Sequence, residues 1–159
     1  MREERLGTET AFDGLQETHR ALPIALLRAR ETVMVRFRPI LSEHGVTEQQ
    51  WRVLRVLSES GPSDVSDVAR SCCILLPSMT RIIRALEERG LITRRKDRGD
   101  GRRLVLAVTT AGTTLLGAVA PKSLQVYSDL LEKFGCERME ALLDLLESLA
   151  ALDEAYGEG

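Results

Sequence analysis

The chain has 159 residues, 43% of them hydrophobic and 29% charged, with a formal net charge of −2. Those proportions exclude wholesale disorder and fit a soluble globular protein, with room for one domain or a small domain with oligomerising extensions. There is no run of about 18 uncharged apolar residues, and Glu3, Glu4, Glu9 and Asp13 deny the amino terminus the charge pattern of a signal peptide, so the expected location is the cytoplasm, with no membrane partner.

Residues 1–19 show little apolar periodicity and read as an N-terminal arm. From Arg20 to Glu43 the spacing of Leu22, Leu26, Leu27, Val33, Met34, Phe37 and Leu41 predicts a helix, with Pro23 in its first turn and Pro39 expected to bend or interrupt its end. Gly45 is a stop, and Thr47 with Gln50 forms a capping-box pattern that starts a second helix, Glu48–Ser58, buried through Trp51, Val53, Leu54, Val56 and Leu57. After the break Ser60-Gly61-Pro62-Ser63, a short helix is expected over about 63–70 and a longer one over about 76–89, with Pro77 in its first turn and Gly90 as a left-handed terminator.

Leu91–Lys96 and Arg103–Val108 read as two strands joined by the turn-rich tip Asp97-Arg98-Gly99-Asp100-Gly101-Arg102. Thr109-Thr110 caps a long helix to about Lys133, and Gly135 separates it from a closing helix to about Asp153. The closing repeat of Met139, Leu142, Leu143, Leu146, Leu149 and Leu152 exceeds what one small domain needs and is expected to pack against another chain. The fold class is therefore mainly α with a small β-hairpin wing: a winged helix-turn-helix over 46–112, flanked by helical segments over 20–45 and 113–156.

Charge is unevenly placed along this plan. Residues 81–103 carry nine Arg or Lys against four Asp or Glu, a local +5 that leaves −7 elsewhere, as an electrostatic footprint on phosphate requires. In a helix-turn-helix the first helix props the second, whose amino-terminal turns face the major groove. Here those turns offer Ser78, Thr80, Arg81 and Arg84, hydroxyls and guanidiniums suited to phosphates and base edges. The hairpin projects Arg98, Arg102 and Arg103, and a narrow minor groove favours arginine over the more strongly hydrated lysine. Asp100 is placed to hold Arg102 by a local ion pair. A solvated basic helix face and a bland exposed turn are the plain alternatives, and the combination of helix and hairpin outweighs them.

Catalysis finds little here: two histidines, no connected nucleophile–base–carboxylate set, no phosphate-cradling glycine loop and no metal-ligand cluster. Neither an enzyme nor a cofactor is expected. Cys72, Cys73 and Cys136 lack disulfide-framework or metal-site spacing and are expected to be buried thiols.

The segments Thr47-Glu48-Gln49-Gln50-Trp51-Arg52-Val53-Leu54, Ile74-Leu75-Leu76-Pro77-Ser78-Met79-Thr80, Leu86-Glu87-Glu88-Arg89-Gly90-Leu91-Ile92, and Asp100-Gly101-Arg102-Arg103 followed by Thr109-Thr110-Ala111-Gly112 resemble the MarR family of bacterial winged-helix transcription regulators, over roughly residues 20–155. Within the family, Glu48-Gln49-Gln50-Trp51-Arg52 and the stretch from Cys73 to Ser78 are most similar to repressors of homoprotocatechuate and 4-hydroxyphenylacetate degradation. The resemblance implies a homodimer, with 20–45 and 113–156 as its helical dimerisation region, on a palindromic operator of double-stranded DNA, released by a small phenolic ligand. Gly101 departs from the larger or charged residue common at that wing position, which implies a looser tip.

For the effector, Arg30 lies on the first helix among Leu26, Val33 and Phe37, and a buried guanidinium needs an anion. An aromatic carboxylate meets that need, with Met34, Phe37 and Trp51 as the apolar wall, Arg38 as a second cation and His19 or His44 bonding a phenol. An internal ion pair to Glu31 or another carboxylate satisfies Arg30 equally, and capping or surface roles suit both histidines. Two further readings stay open: oxidant sensing through Cys72 or Cys73, and a winged protein-interaction module that binds an acidic partner without reading DNA.

Overall fold

Helix α1 (Leu22–Glu43) opens the computed structural model, which describes residues 20–156. The chain divides into two units, 1–39 and 40–159. Pro39 does not interrupt α1; the missing proline N–H removes one helical hydrogen bond, and the helix runs another turn to Glu43. There Gly45, at φ 65°, turns the chain while its N–H donates to the Ser42 carbonyl and that of Val46 to Leu41, at 3.0 Å each. This double closure satisfies carbonyls the helix end leaves unpaired.

Helix α2 (Glu48–Ser60) begins with the expected capping box: the Gln50 N–H donates to Thr47 Oγ1 at 3.2 Å and the Thr47 N–H to Gln50 Oε1 at 3.1 Å. Its Val53, Leu54 and Leu57 are wholly buried at the centre of the core. Beyond Gly61 the structure departs from the sequence expectation, because Ser63–Asp64 form a strand, β1, rather than the start of a helix. Asp64 then caps helix α3 (Val65–Ser71), accepting the Ser66 N–H at 2.8 Å.

Helix α4 (Leu76–Glu88) follows, with Met79, Ile82, Ile83 and Leu86 buried along one stripe. Strands β2 (Ile92–Lys96) and β3 (Leu104–Val108) complete an antiparallel sheet of order β1-β3-β2, with Ser63 opposite Leu106 and Arg94 opposite Leu106 on its other edge. The expected two-stranded wing is thus anchored by a third strand. Gly90 has the left-handed conformation its position predicts, φ 68°, where α4 turns into β2.

Helix α5 (Thr110–Phe134) is fixed to this turn by Thr109. Its Oγ1 donates to the Gly90 carbonyl at 2.7 Å and accepts the Gly112 N–H at 3.1 Å, while its own N–H donates to the Leu91 carbonyl at 3.0 Å. Gly112 is buried in that joint. Gly135 then separates α5 from helix α6 (Cys136–Tyr156), in which every residue from 141 to 152 is exposed. Leu142, Leu143, Leu145, Leu146, Leu149 and Leu152 therefore stand uncovered.

Candidate nucleic-acid interface and effector cleft

The turn between α3 and α4 sets how α4 is presented. Cys72 and Ile74 are buried in it, and Cys73 between them takes the left-handed conformation, φ 52°, usually left to glycine. Arg52 of α2 reaches under the turn and donates to the Cys72 carbonyl at 2.6 Å. Helix α4 consequently buries its Met79–Leu86 stripe and turns Thr80, Arg81 and Arg84 to solvent, with Ser78 half-buried.

The nine cations of 81–103 divide into two groups. Arg84 pairs with Glu88 at 2.9 Å, Arg94 with Glu87 at 3.2 Å and Arg103 with Asp64 at 3.2 Å. Arg89 donates to the carbonyls of Gly45 at 2.5 Å and His44 at 3.2 Å, bracing the end of α1. Arg81, Arg95, Lys96, Arg98 and Arg102 are exposed and form no ion pair among the described residues. Their positive charge is uncompensated on α4 and the wing. Sequence reading passes over Arg95 and Lys96, although β2 is legible as a basic strand.

The wing tip is shaped by its own aspartates. Asp97 Oδ1 accepts the Gly99 N–H at 3.3 Å, and Asp100 Oδ1 accepts the backbone N–H of Arg102 at 3.0 Å. Asp100 thus fixes the turn and not, as expected, the Arg102 guanidinium. Asp64 joins three elements: it pairs in β1, caps α3 and braces the wing through Arg103. The Ser66 N–H, and after it the Arg103 guanidinium, hold its carboxyl below the usual carboxylate value.

A cleft of about 230 Å³ lies between α2 and α5. Trp51, Arg55, Ser58 and Glu59 line one side and Leu116, Ala120, Ser123, Leu124 and Tyr127 the other, each set at helical spacing. Arg55 and Glu59 form an ion pair at its mouth. Ser123 Oγ is buried without a hydrogen-bond partner, and such a group costs free energy until a ligand or water satisfies it. The cleft therefore offers an apolar wall, a cation and an unsatisfied hydroxyl, the ingredients for a small aromatic acid.

Of the sequence-predicted effector residues, Trp51 lines this cleft. Arg30 is not buried: it is exposed on α1 and pairs with Glu31 at 3.1 Å, whose same oxygen holds Arg38 at 2.8 Å. The internal ion pair is the arrangement found, and the Arg38 guanidinium, ahead of Arg30, keeps the Glu31 carboxyl below its usual value. Met34 is half-buried and Phe37 buried. His44 is half-buried, its Nδ1 2.9 Å from the Ile40 carbonyl oxygen, and His19 lies outside the described residues. Sequence reading misses Arg55, Ser123 and Tyr127.

Only Cys72 of the three thiols is buried; Cys73 and Cys136 are exposed, a correction to the expectation. Burial pushes the Cys72 thiol above its usual value, the reverse of a sensor thiolate. Among the described residues no cluster of three potential ligands could hold a metal ion, and no helix is long and apolar enough to cross a membrane.

Residues 46–104 match the MarR family model. The homoprotocatechuate degradative operon repressor of Escherichia coli is 41% identical over 140 residues, 88% of this chain and 95% of that protein. The crystal structure of NadR in complex with 4-hydroxyphenylacetate is similar with a TM-score of 0.75 and 41% identity, covering 84% of this chain and 95% of that one. A transcriptional repressor, CouR, bound to a 23-mer DNA duplex is similar with a TM-score of 0.74 and 29% identity, covering 81% and 92%. A winged helix-turn-helix with unpaired cations on α4 and its wing, and regulators as relatives along nearly its whole length, identify the chain as a member of the MarR family of transcriptional regulators.

Proposed function

We propose that the chain is a homodimeric repressor that grips a palindromic duplex and is released by a small aromatic carboxylate. Residues 46–112 read the DNA. Ser78, Thr80, Arg81 and Arg84 meet the major groove; Arg98 and Arg102 flank it in the minor groove, and Arg103 steadies the wing through Asp64. Residues 20–45 and 113–156 hold the two chains together. The exposed leucines of α6 support that part, since a face this apolar is stable in water when a second copy covers it.

The observation that carries the regulatory reading is the α2–α5 cleft. Arg55 would exchange its surface partner Glu59 for the ligand carboxylate, Trp51 and Tyr127 would enclose the ring, and Ser123 would gain the hydrogen bond it lacks. The 4-hydroxyphenylacetate held by NadR, a relative of 41% identity, supports this ligand class. The cleft joins the helix that props the helix-turn-helix to the helix leading into α6, so filling it shifts the two DNA-reading units relative to one another. A ligand that favours the released spacing about 100-fold supplies roughly 2.7 kcal/mol of coupling.

The test is fluorescence anisotropy with duplexes from the region upstream of its own gene, at two salt concentrations, with and without 4-hydroxyphenylacetate. Sequence-dependent, salt-sensitive binding that weakens with ligand is expected. Salt-sensitive binding indifferent to sequence would sink the operator reading, and affinity unmoved by aromatic acids the effector reading.

A further inference from the structure

The start of α4 breaks two local rules at once. Leu75 occupies its N-cap with extended backbone and no side-chain cap hydrogen bond, although leucine is among the poorest caps. Leu75 is also 78% exposed and Leu76 52%, between buried Ile74 and half-buried Ser78. A serine or aspartate at position 75 would remove apolar surface from water at no loss of backbone bonding, since the Ser78 N–H already donates to the Leu75 carbonyl at 3.0 Å. Nothing in the fold repays the exposed apolar surface, and rules broken without structural gain mark places shaped by a partner.

The position indicates which partner. Leu76, Thr80 and Arg84 follow one another at four-residue steps along one exposed stripe of α4. The two leucines thus lead the helix at the end that, in a helix-turn-helix, goes deepest into the major groove. The apolar group a major groove displays there is the 5-methyl of thymine. We infer that Leu75 and Leu76 form a methyl-reading patch, selecting thymine at one or two positions of each half-site while the arginines supply grip. The inference rests on the DNA-binding reading and adds to it a specificity that hydrogen-bonding side chains do not provide.

The experiment starts from duplexes that the full-length protein selects from a random-sequence library. Each thymine is then replaced in turn by deoxyuridine, which removes the methyl and leaves base pairing intact. Wild type should lose about fourfold in affinity per half-site at the read position, the worth of one buried methyl. Leu75→Ala/Leu76→Ala should bind the thymine and deoxyuridine duplexes alike. Leu75→Ser should keep the wild-type unfolding temperature, because the Leu75 side chain is exposed and the Ser78 N–H is already bonded, yet lose methyl sensitivity. A uridine scan that is flat for wild type, an equal loss in the alanine variant, or a Leu75→Ser protein less stable than wild type would each overturn the patch. Failure to enrich any duplex would instead overturn the DNA-binding reading, and the patch with it.

Discussion

Replacing Gly112 by alanine would test the joint between wing and α5. A Cβ built there stands 2.3 Å from the Leu91 carbonyl oxygen and 2.6 Å from Val108 Cγ2. The Leu91 oxygen is backbone and already accepts the Thr109 N–H at 3.0 Å, so it cannot retreat without loosening the cap of α5. Overpacking of this kind costs about 1–3 kcal/mol, and a clash against backbone belongs at the upper end. Alanine returns about 1 kcal/mol through helix propensity, which leaves a net loss of about 2 kcal/mol. For a chain of this size that lowers Tm by about 4–8 °C. Gly117→Ala on the same helix is the control, because nothing lies within 4 Å of its built Cβ. Calorimetry of the two variants decides: a Gly112→Ala protein as stable as Gly117→Ala would refute the close approach and the reasoning drawn from it.

Arg102→Ala should weaken DNA binding and reduce the salt slope by about one for each phosphate its guanidinium neutralises; an unchanged slope would remove the wing tip from the interface. Arg55→Met should abolish the response to 4-hydroxyphenylacetate while leaving ligand-free DNA affinity within about threefold, a difference near 0.7 kcal/mol; a retained response would place the effector elsewhere. Asp64→Ala should lower stability by about 1 kcal/mol through removal of the cap and weaken DNA binding as the wing loosens, read by chemical denaturation and anisotropy. Because the folded state lowers the Asp64 carboxyl value, its contribution is complete above the unfolded value, about pH 4, and disappears as pH falls through the lower folded one. A wild-type acid limb no steeper than that of Asp64→Asn would contradict this linkage.

Features set by neighbours in sequence are legible: the Thr47–Gln50 box, the Gly90 turn, the Thr109 cap and the leucine repeat of α6 each depend on residues within one or two turns. What escapes a reading of the sequence depends on residues far apart. Strand β1 is two residues long and exists only because β3, some 40 positions later, pairs with it. The apolar neighbours of Arg30 at 26, 33 and 37 suggest burial, but the Glu31 carboxylate, which also holds Arg38 from two turns on, pairs with it on an exposed face. Arg55 and Tyr127 come together only where α2 packs on α5, and no local period announces that. Cys73 resembles a buried thiol in sequence, yet the turn requires a left-handed residue there, which turns its side chain to solvent.

Native mass spectrometry of the protein with its selected duplex, before and after addition of 4-hydroxyphenylacetate, tests the central claim most directly. Two chains per duplex should be seen without the acid, giving way to a free protein dimer with bound acid. A single chain on the duplex, or a two-chain complex that persists with the acid bound, would contradict the account.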